Sequence, residues 1–244
     1  MKVLPVLDLL NGVVVRGVAG RRSEYRPLRS NLTASVHPLD VACALRTAFG
    51  FSQLYIADLD AIIHHRPDDD VYQQLIDSDF RLLIDAGIAN VEQSLLIRDV
   101  GAEPIIGLES CPSPAVLAGI ISANHGIATF SLDLMNGHPL SASDSIGWSV
   151  VPCEIVRQAV SCGVRRIIVL DLADVGTSQG TQTVDLCRSI LAEFPELKLT
   201  CGGGVRGRDD LRNISRIGAS NVLVASALLD GRLSRVDLLA LDRD

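Results

Sequence analysis

Aromatic residues are scarce in this sequence: one tryptophan, five phenylalanines and three tyrosines among 244 residues. Apolar residues still make up 48%, so a core has to be assembled from Val, Ile, Leu and Ala, as in parallel sheets covered by helices. Positive charge is also short. The chain carries 22 Lys and Arg against 29 Asp and Glu, a net charge of −7, which lacks the basic footprint of a general nucleic-acid binder. No apolar run approaches the roughly 20 residues that cross a bilayer. Asp8 interrupts the opening MKVLPVLDLL too early for a signal peptide. Neither a nucleic acid nor a membrane is therefore expected as a partner. The cysteines at 43, 111, 153, 162, 187 and 201 include no C-x-x-C pair, and their scatter fits reduced thiols in a cytoplasmic protein. Linker-like and low-complexity stretches are missing, so residues 1–244 read as one domain, and a monomer is expected.

What is present is alternation. Apolar runs at Val3–Leu7, Gln53–Ala57, Arg81–Ile84, Pro104–Ile106, Ala128–Leu132, Arg166–Leu170, Lys198–Cys201 and Asn221–Val224 read as strands. Amphipathic stretches lie between them, at Val41–Phe49, Val91–Val100, Ala115–Ala123, Pro152–Ser161, Val184–Phe194, Asp209–Ile217 and Arg235–Leu241. Strands each followed by a helical pattern predict an α/β fold, a (β/α)8 TIM barrel, for which a chain of about 250 residues is typical. An open doubly wound sheet is the alternative, and it has no need of eight units.

The strand ends repeat. Leu7-Asp8-Leu9-Leu10-Asn11-Gly12 returns as Leu132-Asp133-Leu134-Met135-Asn136-Gly137, and Ala57-Asp58-Leu59 returns as Leu170-Asp171-Leu172. Asp85-Ala86-Gly87-Ile88 stands at the place of Gly202-Gly203-Gly204-Val205. The near-constant separation predicts two duplicated half-barrels. Strands one and five then lie on opposite walls, with Asp8 and Asp133 facing one another at the end of the barrel that carries chemistry. Two such carboxylates serve as acid and base if their environments separate their pKa values. The alternative is that both only cap their D-x-x-N-G turns.

Gly202, Gly203 and Gly204 lie between a strand and a helix, where backbone N–H groups can close on an anion. Ala225 and Ser226, after strand eight, would complete that cradle. The polar loop Gly176-Thr177-Ser178-Gln179-Gly180 suits further oxyanion contacts. Residues 16–30 hold arginines 16, 21, 22, 26 and 29. They read either as a lid gripping a phosphate, with Arg16 as a contact, or as a solvated loop. Trp148, after strand five, reads first as a stack for a planar substrate and second as an anchor for its loop. His64-His65-Arg66-Pro67-Asp68-Asp69-Asp70 invites a metal, but adjacent histidines diverge and carboxylates before a helix are ordinary caps. No metal and no cofactor is expected; the expected partner is a small phosphorylated metabolite.

The stretches LPVLDLLNGVVVRG at the start, IADLDA at strand two, FSLDLMNG with Gly147-Trp148 at strand five, and LTCGGGV at strand seven resemble the histidine-biosynthesis barrel family. The resemblance covers essentially the whole chain, and the tryptophan favours the ribotide isomerase over the cyclase. It implies an Amadori-type aldose–ketose isomerase acting on a phosphorylated sugar or aminosugar, with Asp8 as base and Asp133 as acid. A divergent branch linked to methanopterin-type one-carbon cofactor metabolism is also similar, and a non-catalytic phospho-ligand-binding protein is a further alternative. The departures are local. Where the family has Gly-Gly-Gly-Ile-Arg, this chain has Asp85-Ala86-Gly87-Ile88-Ala89. Gly-Thr after strand four becomes Gly107-Leu108, followed by Glu109, and the strand-two motif lacks its glycine. Thr-Asp-x-x-x-Asp-Gly-Thr becomes Leu170-Asp171-Leu172-Ala173-Asp174-Val175-Gly176-Thr177. One of two phosphate grips is expected to be lost and the other kept.

Overall fold

A computed structural model of the chain describes residues 1–141, 145–177 and 180–241. Eight parallel strands form its wall: β1 Lys2–Leu10, β2 Gln53–Asp58, β3 Arg81–Asp85, β4 Glu103–Gly107, β5 Thr129–Met135, β6 Arg166–Asp171, β7 Lys198–Gly202 and β8 Asn221–Val224. Each pairs with its neighbour in sequence, and β8 returns to β1 with Lys2 opposite Asn221 and Pro5 opposite Val224. The sheet is closed, so the barrel reading holds and the open sheet does not. Around it run α1 Pro38–Phe49, α2 Leu59–His64, α3 Asp69–Asp77, α4 Val91–Asp99, α5 Pro114–Ala123, α6 Pro152–Ser161, α7 Val184–Glu193, α8 Arg208–Arg216, α9 Ser226–Leu229 and α10 Arg235–Ala240. Proline opens α1, α5 and α6, where its missing N–H costs nothing. Among the described residues no helix is long and apolar enough to cross a membrane.

Strand periodicity decides which side chains reach the mouth. Leu4, Tyr55, Leu83, Ile105, Ile168 and Leu223 fill the barrel interior, with Val6, Ala57 and Leu170 above them. Two residues further along β1 and β3 the same inward face carries Asp8 and Asp85. The opposite face of each strand packs on the helices in a larger cluster that includes Leu7, Ile56, Ile84, Phe130, Leu132 and Val169.

Asp58 and Asp171 have the other parity, and they hold loops together. Asp58 accepts from the N–H groups of Ala61 and Asp68 at 3.0 Å each and from the Tyr72 hydroxyl. Asp171 accepts from the N–H groups of Asn136, Gly137 and Ala173 at 3.0, 2.6 and 2.9 Å. The two Asn-Gly pairs are hairpin turns. Asn11 and Gly12 have φ of 54° and 71°, Asn136 and Gly137 have 52° and 79°, the left-handed pair that a type I′ turn requires. Val13–Arg16 therefore folds back antiparallel on β1, and His138–Pro139 does the same on β5. The turns are held by Asp60, which accepts from Asn11 N–H at 2.5 Å, and by Asp171. Asp8 and Asp133 are left facing the mouth.

Candidate active site

A cleft opens at the C-terminal ends of the strands, the face on which such barrels carry their small-molecule sites. Asp8, Asp85, Glu109 and Asp133 line one part of it, with Arg22, Tyr25 and Tyr55. Gly203, Gly204, Ala225 and Ser226 line the other part. The mouth is thus divided into a carboxylate-rich end and a backbone-rich end.

The carboxyl groups hold their protons to different degrees. Burial lifts Asp8 to about 6, partly offset by a hydrogen bond from the Gly17 backbone. Asp85 is lifted to about 7 by burial and by the charge of Glu109, while Gly87 N–H and the Tyr55 hydroxyl, at 3.2 and 3.4 Å, pull the other way. Asp133, 5% exposed, stands well above the usual carboxylate range, through burial first and then the charges of Glu109 and Asp85. The Ser131 hydroxyl, which donates to its Oδ1 at 2.6 Å, and the Glu109 backbone pull the other way, and among the described residues its Oδ2 has no hydrogen-bond partner. Asp8 is therefore mainly ionised at neutral pH, while burial and its charged neighbours make Asp133 hold its proton more tightly. That separation is the one an acid–base pair needs.

At the backbone-rich end, Gly203 and Gly204 have φ of 89° and 71°. A Cβ on Gly204 would come within 2.2 Å of the Gly180 carbonyl oxygen, so only glycine fits there. Gly202 faces Leu170 and Leu223 and packs the barrel. The Ser226 hydroxyl accepts from Arg232 at 2.9 Å, which leaves its own proton to donate. Arg232 also meets Asp230, which is gripped through both oxygens by Arg16 at 2.8 and 2.7 Å. Arg16 therefore stands behind the cradle, in a smaller cleft beside Ala225 and Ser226, and its fork is already engaged.

The two halves can be compared through their pairing. Ala57 stands opposite Asp85 as Leu170 stands opposite Gly202, so Asp85 occupies the place of Gly202. Ser110 and Cys111 N–H donate to Gly107 O just as Leu228 and Leu229 N–H donate to Ala225 O. Leu108, fully buried, therefore stands where the second half has Ser226. A carboxylate replaces a glycine and a leucine replaces a hydroxyl.

The segment after β1 crosses the mouth. Ala19 N–H donates to Val175 O at 2.7 Å, and Gly176 lies so close that a Cβ on it would fall 2.0 Å from Gly17 O. Arg22 reaches over the cleft to Glu109 at 2.7 Å, and the Tyr25 side chain lies against Asp8 and Arg22 with its hydroxyl pushed up to about 12, mainly by burial. Arg21 pairs with Glu24, and Arg26 donates to the carbonyls of Ser23 and Tyr25. Among the five arginines Arg22 alone lines the mouth. Gly176→Ala, strained in backbone and in contact, should part this clasp. Trypsin is then expected to cut after Arg21, Arg22 and Arg29 at least about tenfold faster than in the parent. Equal cleavage rates would show that the clasp does not restrain the segment.

Trp148 takes the second of its two expected roles. Its ring stacks on Phe130 with centroids 5.4 Å apart, its Nε1–H donates to Cys111 O at 3.0 Å, and it does not line the cleft. Thr177 turns its hydroxyl to Asp174 O at 2.8 Å, while Gly176 lines the cleft; Ser178 and Gln179 lie outside the described residues. Among the described residues no group of three His, Cys, Asp or Glu side chains is placed to hold a metal ion, and all six cysteines are free thiols. Tyr55 and Tyr25 went unnoticed in the sequence. Tyr55 reads there as one more core residue of β2, and the signal that could have found it is its inward parity, two residues before Ala57 at the mouth.

An uncharacterized protein of Methanocaldococcus jannaschii is 29% identical, covering 98% of this chain and 98% of its own. A protein of Halobacterium salinarum named 1-(5-phosphoribosyl)-5-((5-phosphoribosylamino)methylideneamino) imidazole-4-carboxamide isomerase is 26% identical over 99% of this chain and 97% of its own. A protein of the same name from Desulforudis audaxviator is 26% identical over 100% and 92%. Residues 2–234 match the family model described as histidine biosynthesis protein, and with a closed barrel whose halves repeat their strand ends, the chain belongs to that family.

Proposed function

We propose that the chain is an Amadori-type isomerase of a phosphorylated aminosugar, with Asp133 as acid, Asp8 as base and one phosphate held between Gly203–Gly204 and Ala225–Ser226. The observation that carries this reading is that Asp8 from β1 and Asp133 from β5 line one cleft with their protons held differently. The chemistry needs both states. Asp133 gives its proton to the ring oxygen as the bond from C1 to that oxygen breaks, leaving an iminium at C1. Asp8 then removes the proton from C2. The resulting enolamine becomes the 1-amino-2-ketose as C1 takes up a proton and the C2 hydroxyl loses one. Tyr25 and Arg22 line the mouth beside this pair.

The names of the isomerase relatives specify two phosphoribosyl groups. Here only one end of the mouth suits a phosphate. A dianion about 4 Å from an ionised Asp85 would meet several kcal/mol of repulsion at an effective dielectric near 20. A crystal soaked in sulfate or phosphate should show density beside Gly203 and Ser226 and none beside Asp85. Well-occupied anions at both ends would restore a substrate with two phosphates. Tight binding of sugar phosphates without turnover would instead select the phospho-ligand-binding alternative.

A further inference from the structure

Gly107, at the end of β4, is not in a left-handed conformation, so its backbone does not call for glycine. Space does. A Cβ built there would lie 3.0 Å from Asp133 Oδ2, 3.6 Å from Asp85 Oδ2 and 3.9 Å from Glu109 Cγ. With no side chain there, three acidic residues that line the cleft close in around one point of its wall. Asp133 Oδ2 belongs to a residue 5% exposed, lies at this point and has no hydrogen-bond partner among the described residues. Asp85, 6% exposed, accepts a 3.4 Å contact from Tyr55 and a 3.2 Å contact from Gly87, and no other among the described residues. Arg22 is the one cation among the described residues lining the mouth, and it is occupied by Glu109. Buried acceptors of one charge sign are costly unless something donates to them.

A metal does not fit, because the described side chains are not arranged to hold one. A protonated amine does. It brings up to three N–H donors, which need no fixed coordination geometry. Asp85 supplies charge, Glu109 adds the oxygen that its pairing with Arg22 leaves over, and Asp133 offers its unpartnered Oδ2. We propose that the Asp85–Glu109 end of the mouth, around Gly107, binds a protonated amine of the ligand, so that the ligand carries a phosphate at one end and an organic ammonium at the other. The phosphate half of this statement rests on the proposed function; the ammonium half stands on the convergence of Asp85, Glu109 and the unpartnered Asp133 Oδ2 in the cleft wall.

The probes are ω-aminoalkyl phosphates of increasing length, compared with ω-hydroxyalkyl phosphates and alkane bisphosphates of the same lengths, by titration calorimetry. Inorganic phosphate and n-alkylamines are titrated separately. At its best length the aminoalkyl phosphate should bind at least about tenfold tighter than its hydroxyl counterpart and tighter than the bisphosphate. The combined Asp85→Asn and Glu109→Gln change should abolish that preference and leave affinity for inorganic phosphate as it was. Gly107→Ala, which changes no charge, should reduce the preference by pushing Asp133 Oδ2 out of place. No gain from the amine, or a bisphosphate that binds more tightly, overturns the proposal; this comparison needs only the parent protein. If alkylamines bind through Asp85 but inorganic phosphate does not bind, the phosphate reading fails and the ammonium site stands.

Discussion

Asp8→Asn and Asp133→Asn are each expected to lower turnover of a phosphorylated aminosugar at least ~100-fold, the usual scale for loss of one acid or base. The two losses should differ in their pH profiles. In the parent, kcat/KM rises as Asp8 ionises around pH 6 and falls again at higher pH where Asp133 gives up its proton. Asp8→Asn should remove the acid limb of that profile, and Asp133→Asn the alkaline limb. Both variants should fold, because each replaces a carboxyl whose charged form is disfavoured by burial. Near-normal turnover in both would remove the pair from the mechanism. Loss of the opposite limb in each variant would exchange their roles.

Much of the fold was legible because parallel strands buried on both faces read as apolar runs, and all eight runs found strands at or within a few residues of their expected ends. The hairpin after β1 is legible too, as more than a turn: Asn11-Gly12 between Leu9-Leu10 and Val13-Val15 is a strong hairpin signal. The matched strand ends proved to be of two kinds. Asp8 and Asp133 share the inward face, whereas Asp58 and Asp171 bind loop N–H groups on the outward face. One-residue parity decides between them, and in a fully buried strand no alternation of apolar and polar residues reveals it. Trp148 and Arg16 show the other limit. Their partners, Cys111 and Asp230, lie far away in the chain, and no local pattern announces an indole meeting a carbonyl or a guanidinium meeting a carboxylate across the barrel. Glu109 stood out as a departure, but its pairing with Arg22 over the mouth needed the structure.

The buried acids also set how stability depends on pH. Asp85→Asn is expected to make the protein more stable at pH 8, by an amount approaching ~4 kcal/mol, the equivalent of about three pKa units. The sign follows from proton counting. Asp85 sits at about 7 in the folded chain against an ordinary value of 3.8, so between those values the folded state binds more protons than the unfolded one. Stability must therefore fall as pH rises through that window and stay low above it. Asn abolishes the titration. It can still accept from Gly87 N–H through its oxygen while its amide donates to the Tyr55 hydroxyl. Urea unfolding of parent and variant between pH 5 and pH 8 should show a gap that widens with pH and levels off above about 7. A gap that narrows as pH rises, or a variant less stable at pH 8, would mean that Asp85 is stabilised as a carboxylate by the fold itself. The ammonium site predicts one consequence more. An alkylamine that pairs with ionised Asp85 in the parent should protect it from urea more at pH 8 than at pH 5, and should give the Asn variant no such protection, because the charge it would neutralise is gone.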